Sequence, residues 1–111
     1  MLRIGWFSTG RGEGSQKLLR AAVEAIQRRR LDAEVAFVFC NRERGQFDAT
    51  DAFFDQVAGY GIPLVTLSDA RFRREHRGEI ARAGTPLPAW RTDYDRTVAE
   101  LLRPYDYDLG M

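Results

Sequence analysis

The chain has one cysteine, one histidine and almost no net charge. With Cys40 alone, no disulfide can close within the chain, which suits a reducing compartment, and a cytoplasmic location is expected. A net charge of +1 supplies no electrostatic reason for nucleic acid or a membrane surface as partner, and neither is expected. Long hydrophobic runs are also missing, and none approaches the roughly 20 apolar residues that span a bilayer. The opening MLRIGWF has no secretory cleavage pattern and reads as a buried strand. No internal repeat and no metal-ligand spacing occurs, so no metal site is expected.

What the chain does have is an ordinary globular composition, 44% hydrophobic and 30% charged over 111 residues, so one domain covering 1–111 is expected. Apolar runs and helical periods alternate along it. Leu2 to Ser8 reads as a first strand. Leu18, Leu19, Ala22, Val23 and Ile26 then share one helix face, with Ser15 as the expected N-cap and Arg28 to Arg30 closing the helix. AEVAFVFCN (33 to 41) is the nearly continuous apolar strand of a parallel sheet covered on both faces. A second helix follows, with Phe53, Phe54, Val57 and Ala58 inward and Gly59 and Gly61 as stops. IPLVTL (62 to 67) is a third strand, its Pro63 at the start or on an edge. A basic helix from Ser68 to Gly84 is broken by TPLP. Another starts near Thr92 and turns Tyr94, Val98, Leu101 and Leu102 inward until Pro104. YDYDLGM opens a fourth strand. The order predicts an α/β, Rossmann-like three-layer fold with a mostly parallel sheet, expected to continue beyond the fourth strand's start.

The stretch STGRGEGSQKLL places Gly10, Gly12 and Gly14 between the first strand and the first helix. Such a loop lies at the carboxyl end of the sheet, where glycines let the backbone approach an anion and a helix start offers free N–H groups. A P-loop ATP site is excluded, because Lys17 does not follow a glycine. The dinucleotide pattern G-x-G-x-x-G fits poorly, since Ser15 and Lys17 stand where its third glycine belongs. Asn41 and Arg42 also replace the acidic residue that would end the second strand, although Arg42 leaves an NADP-binding half as an alternative.

A third comparison covers essentially all 111 residues. Ser8 with Gly14-Ser15-Gln16, Cys40-Asn41-Arg42, Gly61-Ile62-Pro63, the RTDYD stretch (Arg91, Tyr94, Asp95) and LRPYDYDLGM follow one another in a familiar order. The sequence resembles the N-terminal half of the phosphoribosylglycinamide formyltransferase family, with two residues inserted in the loop, Gln16 in place of Asn, and an insertion around residues 70 to 89. The resemblance implies transfer of a formyl group from 10-formyltetrahydrofolate, as cosubstrate, to glycinamide ribonucleotide in purine biosynthesis. It implies that Gly12, Gly14, Ser15 and Gln16 hold the substrate phosphate and that Arg91 contacts the folate. The family's N-x-H-P motif and its downstream Asp do not occur here, so no catalytic residue is assigned and these 111 residues alone are expected to be inactive.

Other candidates carry less chemistry. His76 lies among arginines (RREHR) and reads as solvated surface, and the Arg cluster from 71 to 82 as a solvated helix face. Asp106 and Asp108 resemble an acid–base pair but by alternation flank a strand start on one side. Cys40 has no base beside it in sequence and reads as a small buried residue, while Trp6 and Phe7 read as sheet core. A non-catalytic module that pairs with itself as a homodimer, or with another chain, through the open edge of the fourth strand is a further alternative.

Overall fold

The first apolar run becomes β1 (Leu2–Ser8), and AEVAFVFC becomes β2 (Ala33–Cys40). Between and after them lie α1 (Glu13–Gln27), α2 (Asp48–Gly59) and β3 (Leu64–Thr66). The chain then continues through α3 (Asp69–Glu75), α4 (Ala89–Leu102) and β4 (Leu109–Gly110). The computed structural model describes residues 1–76 and 88–111. Its strands form one parallel sheet in the order β3-β2-β1-β4, so the chain winds outward from β1 to β3 and then returns to the other side of β1. The α/β three-layer architecture expected from the sequence is the one observed. No helix among the described residues is long and apolar enough to cross a membrane.

Each face of the sheet has its own core. Ile4 and Trp6 of β1 meet Leu19, Val23, Phe53, Phe54 and Val57, so α1 and α2 cover this face. Phe37 and Phe39 of β2 meet Phe72, Trp90, Tyr94 and Leu102, so α3 and α4 cover the other. A bulge decides which residues of β2 go where. Ile4 is opposite Val35 but Gly5 is opposite Phe37, leaving Ala36 as an extra residue. Side chains alternate along a strand, so one inserted residue reverses the pattern. Ala33 and Val35 before the bulge, and Val38 and Cys40 after it, therefore belong to the same layer.

Several sequence expectations change at the margins. Ala58 and Leu18 are exposed, and Thr50 is buried in α2 instead. Leu101 and Phe7 are 40% and 38% exposed, because α3 and α4 lie over β2 and β3 more than over β1. The third strand has only three residues, Pro63 standing just before it on the edge with its carbonyl accepting from the Val38 N–H. The basic helix after Ser68 ends at Glu75. Its expected continuation to Gly84, the TPL break and the arginines at 77 and 82 lie outside the described residues.

The two helices on the first face end in the same way with different residues. After α2, Gly61 has φ +71, its N–H reaches Ala58 O, and the Ile62 N–H reaches Val57 O. After α1, Arg29 has φ +57, its N–H reaches Ile26 O, and the Arg30 N–H reaches Ala25 O. Both are Schellman endings, in which the left-handed residue is usually glycine. The three arginines thus follow the helix instead of forming its last turn, and one occupies a conformation that costs an L residue about 1 kcal/mol. Replacing Arg29 by glycine is expected to raise stability by about 1 kcal/mol, close to 4 °C in Tm for a chain of this size. Thermal unfolding followed by circular dichroism measures it, and an unchanged or lower Tm refutes it.

Candidate functional site

The loop after β1 is shaped from below. The Ser8 hydroxyl accepts a hydrogen bond from the Gly10 N–H at 3.0 Å, and the Gly10 carbonyl accepts one from the Thr50 hydroxyl at 3.0 Å. Gly10 has φ +60, and a Cβ there would stand 3.3 Å from Phe53 and 3.4 Å from Thr50. Gly10 is therefore required by backbone and packing alike. Gly12 and Gly14 are not. Gly12 is extended, and a Cβ on either would meet nothing within 4 Å. These two glycines leave open space in front of the helix start.

That start differs from the expected one. Gly12, not Ser15, is the N-cap, because the Ser15 N–H turns back to the Gly12 carbonyl at 3.2 Å. No side chain caps the helix, so the Glu13 and Gly14 amides are left for solvent or a ligand. Gly14, Ser15 and Gln16 accordingly lie together in the first turn, and the Gln16 carbonyl is held by the Gln56 side-chain amide at 2.9 Å. Glu13 opposes an anion in this turn, with Arg11 and Lys17 on either side of it as exposed cations. The strand order reverses between β1 and β4, so this loop borders the crevice where open α/β sheets bind ligands.

Arg91 lies at the same end of the sheet. Helix α4 begins at Ala89 with Pro88 as N-cap, so Thr92 is not the cap, Arg91 is the third helical residue, and Asp93 and Asp95 fall beyond the first turn. Trp90 and Tyr94 bury themselves one turn apart, and this anchors the earlier start. The Arg91 guanidinium is half-buried, 5.2 Å from the Tyr94 ring centre. Its carboxylate partners Asp69 and Asp95 stand at 3.7 and 3.8 Å, beyond hydrogen-bond length, so its N–H groups are held in place without being consumed. Asp69 also receives the Asn41 side-chain amide at 3.4 Å, while the Asn41 Oδ1 is buried with no hydrogen-bond partner among the described residues. Cys40 links the two halves, since a Cβ on Gly10 would lie 3.6 Å from its Sγ and its thiol feels the charge of Asp69.

Burial pushes the Cys40 thiol above its ordinary value, with Asp69 adding to it and Arg42 opposing. A thiol held neutral is a poor nucleophile, and the reading of Cys40 as a buried small residue agrees with this. Tyr94 donates to the Leu67 carbonyl at 2.7 Å, and burial first, then Asp69, raise its phenol well above the usual tyrosine range. The folded state thus holds both protons more tightly than the unfolded one. Their contribution is fully present below the unfolded values of 9.0 and 10.0 and falls as pH rises past them. Urea midpoints should hold level with respect to these groups up to about pH 8 and drop above pH 9. A Tyr94→Phe variant should show a shallower drop above pH 10, and an equally steep one would exclude Tyr94 as its source.

A second network, not foreseen from the sequence, joins the loops after β2 and β3. Glu43 accepts the Ser68 N–H at 2.8 Å and pairs with Arg71 at 2.9 Å. Gln46 accepts the Glu43 N–H and donates to the Ser68 hydroxyl, which in turn accepts the Arg71 N–H. Ser68 is the N-cap of α3, with Asp69 in its first turn, a cap that the reading of 68 to 84 as a basic helix did not single out. His76 is exposed and stacks on Phe72 with ring centres 4.0 Å apart. Asp108 is structural: its carboxylate accepts the Arg3 N–H at 2.8 Å, fastening β4 to the far end of β1. Asp106 is exposed.

Among the described residues no three His, Cys, Asp or Glu side chains gather as a metal site. A cavity of about 390 Å³ opens at the opposite end of the sheet, between Arg3, Ile26, Tyr60 and Pro63, away from every predicted site residue. Comparison with family models, curated proteins and solved structures finds no match to this chain.

Proposed function

We propose that this chain is the substrate-binding part of a formyltransferase of purine biosynthesis, holding the phosphate of glycinamide ribonucleotide on the first turn of α1. The observation that carries the reading is the open space at Gly12 and Gly14 in front of an uncapped helix start. Glycines that neither the backbone nor the packing requires are explained by a ligand that comes close. Backbone amides of the turn and the side chains of Ser15 and Gln16 supply donors to a phosphate monoester.

Arg91 fits the folate cosubstrate, because its guanidinium is positioned by two distant carboxylates and a tyrosine ring and retains free N–H groups for a carboxylate. Bound 10-formyltetrahydrofolate supplies the activated formyl carbon. The residues of this chain bind and orient the two substrates. The only histidine lies in RREHR and no N-x-H-P occurs, so polarising the formyl group falls outside these 111 residues. The NADP alternative is less well supported, because the cavity that Arg42 lines contains none of the residues after β1.

The test is calorimetric titration of the chain with glycinamide ribonucleotide and, separately, with NADPH. The nucleotide should bind and NADPH should not. Gly14→Leu should weaken nucleotide binding more than tenfold. It should also raise stability by about 0.8 kcal/mol, because leucine favours a helix over glycine and its side chain meets open space. Equal nucleotide affinity in variant and wild type, or tighter binding of NADPH, would sink the proposal.

A further inference from the structure

A cavity of about 350 Å³ lies between the loop after β2 and the start of α3, lined by Arg42, Gln46, Phe47, Ser68, Asp69 and Arg74. We infer that this cavity is a second binding site, separate from the α1 loop, for a small organic dianion gripped by Arg42 and Arg74. The evidence is the pattern of compensation among the arginines of this surface. Arg44 pairs with Asp55, Arg71 with Glu43 and Glu75, and Arg91 with Asp69 and Asp95. Arg42, Arg73 and Arg74 have no ion pair among the described residues, and of these three it is Arg42 and Arg74 that line this cavity.

The single carboxylate in the cavity does not neutralise them. Its Oδ1 accepts the Ala70 N–H at 2.8 Å, and its Oδ2 faces Asn41 and Arg91. Arg42 is also held ready: its guanidinium lies over the Phe47 ring, 4.2 Å from the centre. Phe47 is 52% exposed, and its ring gives the guanidinium a face to rest on. A guanidinium seated over a ring face still has N–H donors to fork two oxygens of one anion. Phosphate monoesters and dicarboxylates both present that two-oxygen edge and double charge on a body of the right size.

The inference is independent of the formyltransferase reading, and one titration separates the two. The chain is labelled at arginine Nε, and glycerol 3-phosphate, succinate and neutral glycerol are added in turn. The Arg42 and Arg74 Nε–H signals should shift saturably at about 1 mM, a binding free energy near −4 kcal/mol. Arg74→Ala should weaken binding tenfold, and Arg42→Lys, which keeps the charge but loses the fork, at least threefold. Gly14→Leu should leave these shifts unchanged. Saturation by glycerol 3-phosphate alone identifies a phosphate monoester, by succinate alone a dicarboxylate, and by both a general dianion site. Saturation by neither, an equal response to glycerol, unaltered affinity in Arg74→Ala, or loss of the shifts in Gly14→Leu overturns the inference.

Discussion

Replacing Phe53 by alanine should destabilise the protein by about 4 kcal/mol, roughly 15 °C in Tm, and loosen the loop after β1 in the same step. Phe53 is fully buried in α2, packed with Phe54, Val57 and the β1 side chains Ile4 and Trp6. Removing its ring discards apolar burial and leaves a cavity that the surrounding layer fills only partly. The ring also stands under Gly10, close enough that a Cβ there would approach it to 3.3 Å. The Thr50 hydroxyl that holds the Gly10 carbonyl comes from the same helix, three residues earlier. Urea unfolding with an unchanged m-value measures the loss, and amide exchange at residues 9 to 12 reports the loosening. A loss under about 1 kcal/mol, or a loop protected as in wild type, would show that the loop does not depend on this ring.

Gly5→Ala should cost about 3 kcal/mol, although alanine ordinarily improves a strand. A Cβ at Gly5 would lie 2.5 Å from Phe37 Cζ, 2.9 Å from its Cε1 and 3.0 Å from Tyr107 Cδ2. Phe37 is fully buried and has nowhere to retreat, with Tyr107 at 5.0 Å, Tyr105 at 5.3 Å and Phe7 at 5.7 Å between ring centres. The bulge at Ala36 sets this up, since it brings Phe37 opposite the glycine. Combining Gly5→Ala with Phe37→Leu should recover at least 1 kcal/mol relative to the sum of the single changes, because the smaller side chain vacates the colliding volume. Strict additivity in that cycle would place the cost elsewhere.

The strands and the parallel order were legible because their apolar runs are bounded by glycine and charge; β1 runs over the residues expected of it, Leu2–Ser8. The helix starts were harder to read. The apolar period of α1 begins at Leu18, while its first turn, Glu13 to Lys17, is polar and carries no period. The cap is Gly12, which has no side chain to announce itself. At α4 the threonine that looks like a cap lies beyond the buried Trp90, which the expected start left outside the helix. The bulge in β2 was invisible for a different reason: a strand apolar on both faces shows no alternation to interrupt. The loop glycines of the candidate site were found by spacing. The Arg91–Asp69 pair and the Glu43–Ser68 bond were not, because they join residues 22 and 25 positions apart.

The strand order also prescribes a sequence of events in time. β1 and β2 pair within the first 40 residues, and β3 adds directly beside them. β4 can pair only after α3 and α4 have carried the chain back over the sheet, joining Ile4 to Leu109 across 105 positions. Closing so long a loop is the slowest part of such a topology. On a nascent chain, the α1 turn and the helix beneath it are complete well before the crevice beside β1 gains its far wall. On the proposed reading of the α1 turn as a phosphate site, inorganic phosphate present during refolding should speed the early phase without changing the late one.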